Sequence, residues 1–349
     1  MEYAPDLLLI FGYAFVSFLI ALFLTKPFLI FLHRYKIGKN IRADAVDGKP
    51  ASLFRALHLK KSGTPTMGGI LICGVTFLMI AFSYLPYTFG WVNHTLLDRA
   101  ETYLPLFTLG VTGILGAVDD YLNVRGLGKN KGISAKPKFW WLLIFAALGA
   151  WWFFAKLGWN TIHIPRLGDF YLGWWYIPLF ILVIISSAHA VNITDGLDGL
   201  ASGLLTIAFG SFAIIAYAKG LLLLTTFCSV VVGANLAFLW FNIAPAKFYM
   251  GDTGALSLGA TLGVLAMLTN SVIVLPFIGF VFVIETISVI IQLLSKKFLG
   301  RKVFTIAPLH HHLEQIGWNE SQIVMRLWII GGIFAGIGVI IGLIGMGKV

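Results

Sequence analysis

The sequence predicts an all-α polytopic membrane protein with about ten transmembrane helices and a small external β-hairpin. Two observations carry this reading. The chain is 58% hydrophobic and 11% charged, with a mean hydropathy of +0.89, a balance outside that of soluble globular domains. Apolar runs of about 20 residues, the length that crosses a bilayer, recur from end to end.

Ten runs are readable: 7–25, 67–85, 104–118, 139–156, 174–190, 200–217, 221–241, 255–269, 272–295 and 326–346. They leave no room for a separate soluble domain, so residues 1–349 read as one integral membrane domain. The first run lacks a basic leader and a small-residue cleavage site, and reads as a retained span. Cys73 and Cys228 fall inside apolar runs, which argues against a disulfide framework or a cysteine metal site. Residues 160–172 alternate and turn at Gly168, predicting a hairpin on the outer surface.

The net charge of +10 does not point to nucleic acid, because of where the charge sits. Lys26, Arg34, Lys36, Lys39, Arg42, Lys49, Arg55, Lys60 and Lys61 lie between the first two runs. Arg125, Lys129, Lys131, Lys136 and Lys138 lie between the third and fourth, and Lys296, Lys297, Arg301 and Lys302 between the ninth and tenth. These loops share one face. The other face carries Arg99, Lys156, Arg166, Lys219 and Lys348. The positive-inside rule makes the rich face cytoplasmic and both termini external.

The reactive groups fall on that same face. Asn192-Ile193-Thr194-Asp195-Gly196-Leu197-Asp198-Gly199 separates two apolar runs, Asp119-Asp120 ends the third, and Asn242 follows the seventh. Asp252 lies in the next loop, and His310, His311 and His312 in the last one. Capping of the following helix accounts for one carboxylate of the 192–199 stretch; it leaves the second Asp and Asn192 unexplained. Hard carboxylate oxygens suit Mg²⁺ held together with substrate phosphates, and Lys61, Lys131 and Lys138 suit phosphate oxygens. Together they suggest phosphoryl transfer between one lipid and one soluble substrate at the membrane boundary.

Each piece has a plainer alternative. Asp119-Asp120 also fits a simple marker of the water interface, and adjacent helical residues point about 100° apart, so the two cannot face one ligand alike. The histidine run lacks the separated spacing of zinc ligands and suits phosphate or sugar contacts better. Much of the basic first loop fits topology or anionic lipid. Glu285, in mid-span, fits an interior functional acid or a hydrogen-bonded structural one.

Five motifs occur in order: Gly63-Thr64-Pro65-Thr66-Met67-Gly68-Gly69, Asp119-Asp120-Tyr121, the 192–199 stretch, Phe241-Asn242 with Met250-Gly251-Asp252, and Pro308-Leu309-His310-His311-His312-Leu313-Glu314. Together they resemble the phospho-N-acetylmuramoyl-pentapeptide transferases, a branch of the polyprenyl-phosphate N-acetylhexosamine-1-phosphate transferase superfamily; the histidine run resembles the muramoyl branch in particular. The resemblance covers nearly the whole chain. It implies a bacterial inner-membrane enzyme with a cytoplasmic-facing cleft, often homodimeric. Its reaction would take UDP-MurNAc-pentapeptide and undecaprenyl phosphate to lipid I and UMP, with Mg²⁺.

By matching positions, the resemblance makes Asp252 the Mg²⁺ ligand and Asp119 the residue that deprotonates or orients the lipid phosphate, with Asp120 beside it. It places Asn192, Asp195, Gly196 and Asp198 in the nucleotide pocket, with Lys61, Thr66 and Asn242 nearby. Tyr249 stands where the family has a Phe stacking on uracil, and Gln292, His310 and His311 border the cleft. Lys131 and Lys138 match basic positions after the paired Asp, although the loop 123–128 is longer and less basic than in some members.

Two mechanisms fit such a site: direct attack by the lipid phosphate, or double displacement through an acyl phosphate on an Asp. Two other functions compete. A sibling transferase using UDP-GlcNAc is disfavoured by the histidine run. A transporter would place its polar groups at mid-membrane, where this chain has Glu285 while the rest lie at one surface.

Overall fold

The computed structural model describes residues 4–38, 63–91, 95–98, 100–127 and 132–345. Long apolar stretches satisfy their own backbone as helices, as a hydrocarbon layer requires. Among the described residues, ten long helices follow in order: α1 Ala4–Arg34, α2 Gly69–Phe82, α3 Ala100–Arg125, α4 Ala135–Trp151, α5 Tyr176–Thr194, α6 Leu200–Ala218, α7 Leu222–Asn242, α8 Gly251–Leu268, α9 Phe280–Leu294 and α10 Glu320–Gly345. Among the described residues, nine helical stretches are long and apolar enough to cross a membrane. The expected span 272–295 differs. It breaks at Gly279 into Leu275–Ile278 and α9, because Pro276 offers no amide donor and Gly279 leaves helical geometry.

Helix α8 is the hub. All of its residues from Thr253 onward are buried, and it packs on α2, α3 and α5. Small residues permit this. A Cβ at Gly116 of α3 would strike the backbone of Asp252 and Thr253, and one at Gly259 would strike the backbone of Ser187 on α5.

Helix α1 runs beside α7 in the same direction: Ser17 Oγ donates to the Val230 carbonyl at 2.7 Å, and Ser229 Oγ to the Ile10 carbonyl at 3.1 Å. Both ends of the described chain therefore lie at the hairpin end of the bundle. There, β1 (Thr161–Ile164) pairs antiparallel with β2 (Gly168–Tyr171), Ile164 opposite Gly168. The turn lies just before the expected Gly168, since Arg166 takes a positive φ of 66° and Gly168 opens β2. His163 Nε2 lies 3.1 Å from the Gly345 carbonyl, which pins the hairpin to the end of α10.

Candidate active site

Four helix ends meet at the opposite end of the bundle: the C-terminal ends of α3 and α5 and the N-terminal ends of α4 and α8. Helix α3 continues past the expected end at 118 to Arg125, so Asp119 and Asp120 are helical and diverge. Asp120 faces α8. Its Oδ1 accepts the Asp252 N–H at 3.0 Å; its Oδ2 accepts the Thr253 N–H at 3.0 Å and the Thr253 hydroxyl at 2.6 Å. First-turn amides have no partner within their own helix, so Asp120 caps α8 from its neighbour. That cap corrects the expectation of a loop at Asp252: the residue sits in the first turn of α8.

Asp119 faces α4. Its Oδ2 accepts from Lys138 Nζ at 2.9 Å, and its Oδ1 accepts the Ile133 N–H. The same Lys138 ammonium donates to Asp252 Oδ2, while Asn192 Nδ2 donates to Asp252 Oδ1 at 2.9 Å. One ammonium thus bridges carboxylates from α3 and α8. The Asp119 side chain is 3% exposed and that of Asp252 25%, so Asp252 is the more open of the two to a ligand. His189, one turn before Asn192 on α5, lies within electrostatic reach of Lys138 and Asp252. Sequence reading passed over it; its i, i+3 spacing from Asn192 was the available signal.

The remaining candidates build the walls. Asn242 is buried; its Oδ1 accepts from Gly199 N–H at 3.1 Å and Ser202 Oγ at 3.0 Å, and its Nδ2 donates to the Phe248 carbonyl at 2.9 Å. Asp198 Oδ2 accepts the Ala246 N–H at 2.9 Å, and the Asp198 N–H donates to Glu320 Oε1 at 2.8 Å. These bonds lock the 195–199 loop onto the 242–249 segment. Asp195 ends α5 and is half-buried.

Tyr249 is half-buried, and its backbone joins the 63–69 segment: its N–H donates to the Pro65 carbonyl, and its carbonyl accepts the Gly68 N–H, both at 2.8 Å. Thr66 is buried, and its hydroxyl has no partner among the described residues. Gln292 holds the 303–304 backbone from both ends of its amide. His311 Nδ1 lies 2.7 Å from Glu314 Oε2. Lys61 and Lys131 lie outside the described residues.

Gly196 has a steric reason. A Cβ there would collide with the His310 ring. We expect Gly196→Ala to push the ring or the loop aside and to lower kcat/KM by at least about tenfold, the scale of a displaced binding group; steady-state kinetics with the alanine variant checks this.

No group of three His, Cys, Asp or Glu suited to a metal ion occurs among the described residues. A hard cation bound by one or two carboxylates plus substrate phosphates needs no such group. The space between Asp119 and Asp252 already accommodates the Lys138 ammonium, so it suits positive charge.

Residues 103–270 match the Glycosyl transferase family 4 model, and residues 61–73 match the Phospho-N-acetylmuramoyl-pentapeptide-transferase signature 1. The chain is 43% identical over 339 residues to the phospho-N-acetylmuramoyl-pentapeptide-transferase of Geobacillus thermodenitrificans, covering 97% of this chain and 98% of the relative. It is 43% identical to that of Shouchella clausii, covering 94% and 95%, and 39% identical to that of Chloroflexus aurantiacus, covering 94% and 88%. With its ordered motifs meeting at one end of a helical membrane bundle, the chain belongs to the phospho-N-acetylmuramoyl-pentapeptide-transferase family.

Proposed function

We propose that this enzyme transfers phospho-MurNAc-pentapeptide from UDP-MurNAc-pentapeptide to undecaprenyl phosphate, forming lipid I and UMP with Mg²⁺ at the cytoplasmic face of the bacterial inner membrane. The observation that carries the site is the bridge from Asp119 through Lys138 to Asp252, flanked by Asn192. The sidedness is supported by the described basic residues at this end of the bundle, among them Lys36, Arg125, Lys136 and Lys138.

Asp252, the more exposed of the two carboxylates, would hold Mg²⁺, with the Asn192 amide beside it. When bound, the ion neutralises pyrophosphate charge and stabilises departing UMP. Lys138 balances two close carboxylates and lies where phosphate oxygens would arrive. The lipid phosphate is already anionic at neutral pH and needs orientation more than deprotonation, a task Asp119 would serve by holding the Lys138 ammonium. Both Asp119 oxygens are engaged, by Lys138 and the Ile133 N–H, which disfavours a covalent route through this carboxylate.

An apolar cavity of about 200 Å³ lies between α5, α8 and α9, lined by residues including Ala190, Val191, Leu262, Phe282 and Ile287. Its apolar lining, which ends on α5 at Val191, suits isoprene units of the lipid acceptor.

UMP release by purified protein in detergent, with undecaprenyl phosphate and either donor, tests this reading. We expect turnover with UDP-MurNAc-pentapeptide that EDTA abolishes and Mg²⁺ restores. Turnover with UDP-GlcNAc and silence with the muramoyl donor would move the chain to the sibling branch.

A further inference from the structure

One polar side chain beside the site is used by none of the chemistry above. His189 lies on α5, one turn before Asn192. It belongs to the series Leu182, Ser186, His189 and Ile193, whose spacing of three and four residues keeps it on one side of the helix. Leu182 and Ser186 are exposed and His189 and Ile193 half-buried, whereas Val183, Ile184, Ser187, Ala188 and Ala190 between them are buried. The series is an open stripe that climbs α5 to the level of Asn192, whose amide touches Asp252. Its two polar members differ. Ser186 Oγ donates to the Leu182 carbonyl of its own helix at 2.6 Å. His189 makes no hydrogen bond to any described residue, although Lys138 and Asp252 lie within electrostatic reach of its ring. A neutral imidazole always carries one N–H donor, and an ionisable side chain within a span that serves no internal bond points to a ligand.

Depth decides between the two substrates. By the rise of the helix, His189 stands roughly 4.5 Å on the membrane side of Asn192, while the 195–199 loop follows the other end of α5. A soluble nucleotide enters from the loop side, and a lipid phosphate from the bilayer side. Ser186, one turn below His189, also lines the apolar cavity between α5, α8 and α9. Along α5 the order is therefore apolar wall, imidazole, then the Asn192 amide on Asp252 with Lys138 opposite. That order matches a molecule with a hydrocarbon tail and an anionic head. We propose that His189 is a contact for the lipid acceptor: its ring N–H donates a hydrogen bond to a phosphate oxygen of the polyprenyl phosphate and holds the head beside Lys138. A hydrogen bond to a charged oxygen is among the stronger kinds. The identity of the lipid rests on the function proposed above; the open stripe and the unpaired imidazole do not.

The test has two arms, both on the full chain in detergent, with His189→Leu and His189→Gln. Leucine keeps the bulk and removes the donor; glutamine restores an N–H at similar reach. In the kinetic arm, His189→Leu should raise the KM for undecaprenyl phosphate by at least about tenfold, the scale of one lost charged hydrogen bond. The KM for UDP-MurNAc-pentapeptide should stay within about twofold, and His189→Gln should recover most of the loss. An unchanged acceptor KM in His189→Leu, a donor KM that rises as much as the acceptor KM, or a glutamine variant no better than leucine overturns the proposal. In the binding arm, native mass spectrometry without any donor compares undecaprenyl phosphate with undecaprenol. The wild type and His189→Gln should retain the phosphate in preference to the alcohol, and His189→Leu should lose about tenfold of that preference. Equal preference in all three overturns the proposal. A wild type that releases no UMP from UDP-MurNAc-pentapeptide would remove the functional reading instead, and the binding arm would still decide the role of His189.

Discussion

Asp252→Asn lowers turnover by about a thousandfold or more, the scale of losing a group that holds transition-state charge, and leaves the protein folded. Asparagine keeps the size of the side chain and an oxygen for Asn192 Nδ2, so the contact between α5 and α8 survives. What disappears is the negative charge beside Lys138. The start of α8 is unaffected, because its first-turn amides are capped by Asp120 and not by Asp252. UMP release and thermal unfolding in detergent, measured on one preparation, check both halves.

Asp120→Ala behaves differently. Its carboxylate accepts three hydrogen bonds in a buried site. Removing it leaves two α8 amides and the Thr253 hydroxyl without that acceptor, a loss of roughly 2–4 kcal/mol by the usual cost of a lost cap and buried unsatisfied donors. The first turn of α8 carries Asp252, so activity falls with stability. Thermal unfolding therefore separates the two aspartates: Asp252→Asn loses turnover at nearly constant stability, whereas Asp120→Ala loses both. An Asp120→Ala protein as stable as the wild type would show that the cap contributes little.

Hydropathy made the membrane bundle legible, because a chain this apolar has few other ways to satisfy its backbone. It misplaced the ends that matter. Asp252 looks like a loop residue to any hydropathy window, and Asp119 and Asp120 like the end of a span. Asp252 is helical because Asp120 reaches across to cap α8, an interaction between residues 132 apart in sequence. The unbroken apolar run 272–295 likewise hid the break at Gly279, where Pro276 and local backbone geometry decide and hydropathy does not.

The gathering of Asp119, Asn192 and Asp252 on one face followed from span counting alone. That Lys138 would bridge the two carboxylates did not, since several lysines of the same loop had equal claims by spacing. Asn242, Asp198 and Gln292 belong to the recognisable motifs, but their hydrogen bonds go largely to the protein's own backbone. A motif marks a residue that the site needs without saying whether it touches ligand or holds the wall. Glu285 remained ambiguous in the sequence because its partner, His310, comes 25 residues later in a different helix.

Mn²⁺ binding, followed by electron paramagnetic resonance in the presence of UMP, tests most directly whether Asp252 holds the metal and nucleotide together. The wild type should bind Mn²⁺ in a Mg²⁺-displaceable manner, Asp252→Asn should lose that signal, and His311→Ala should keep it. Undiminished Mn²⁺ binding by a folded Asp252→Asn protein would place the metal elsewhere and contradict this assignment of the site.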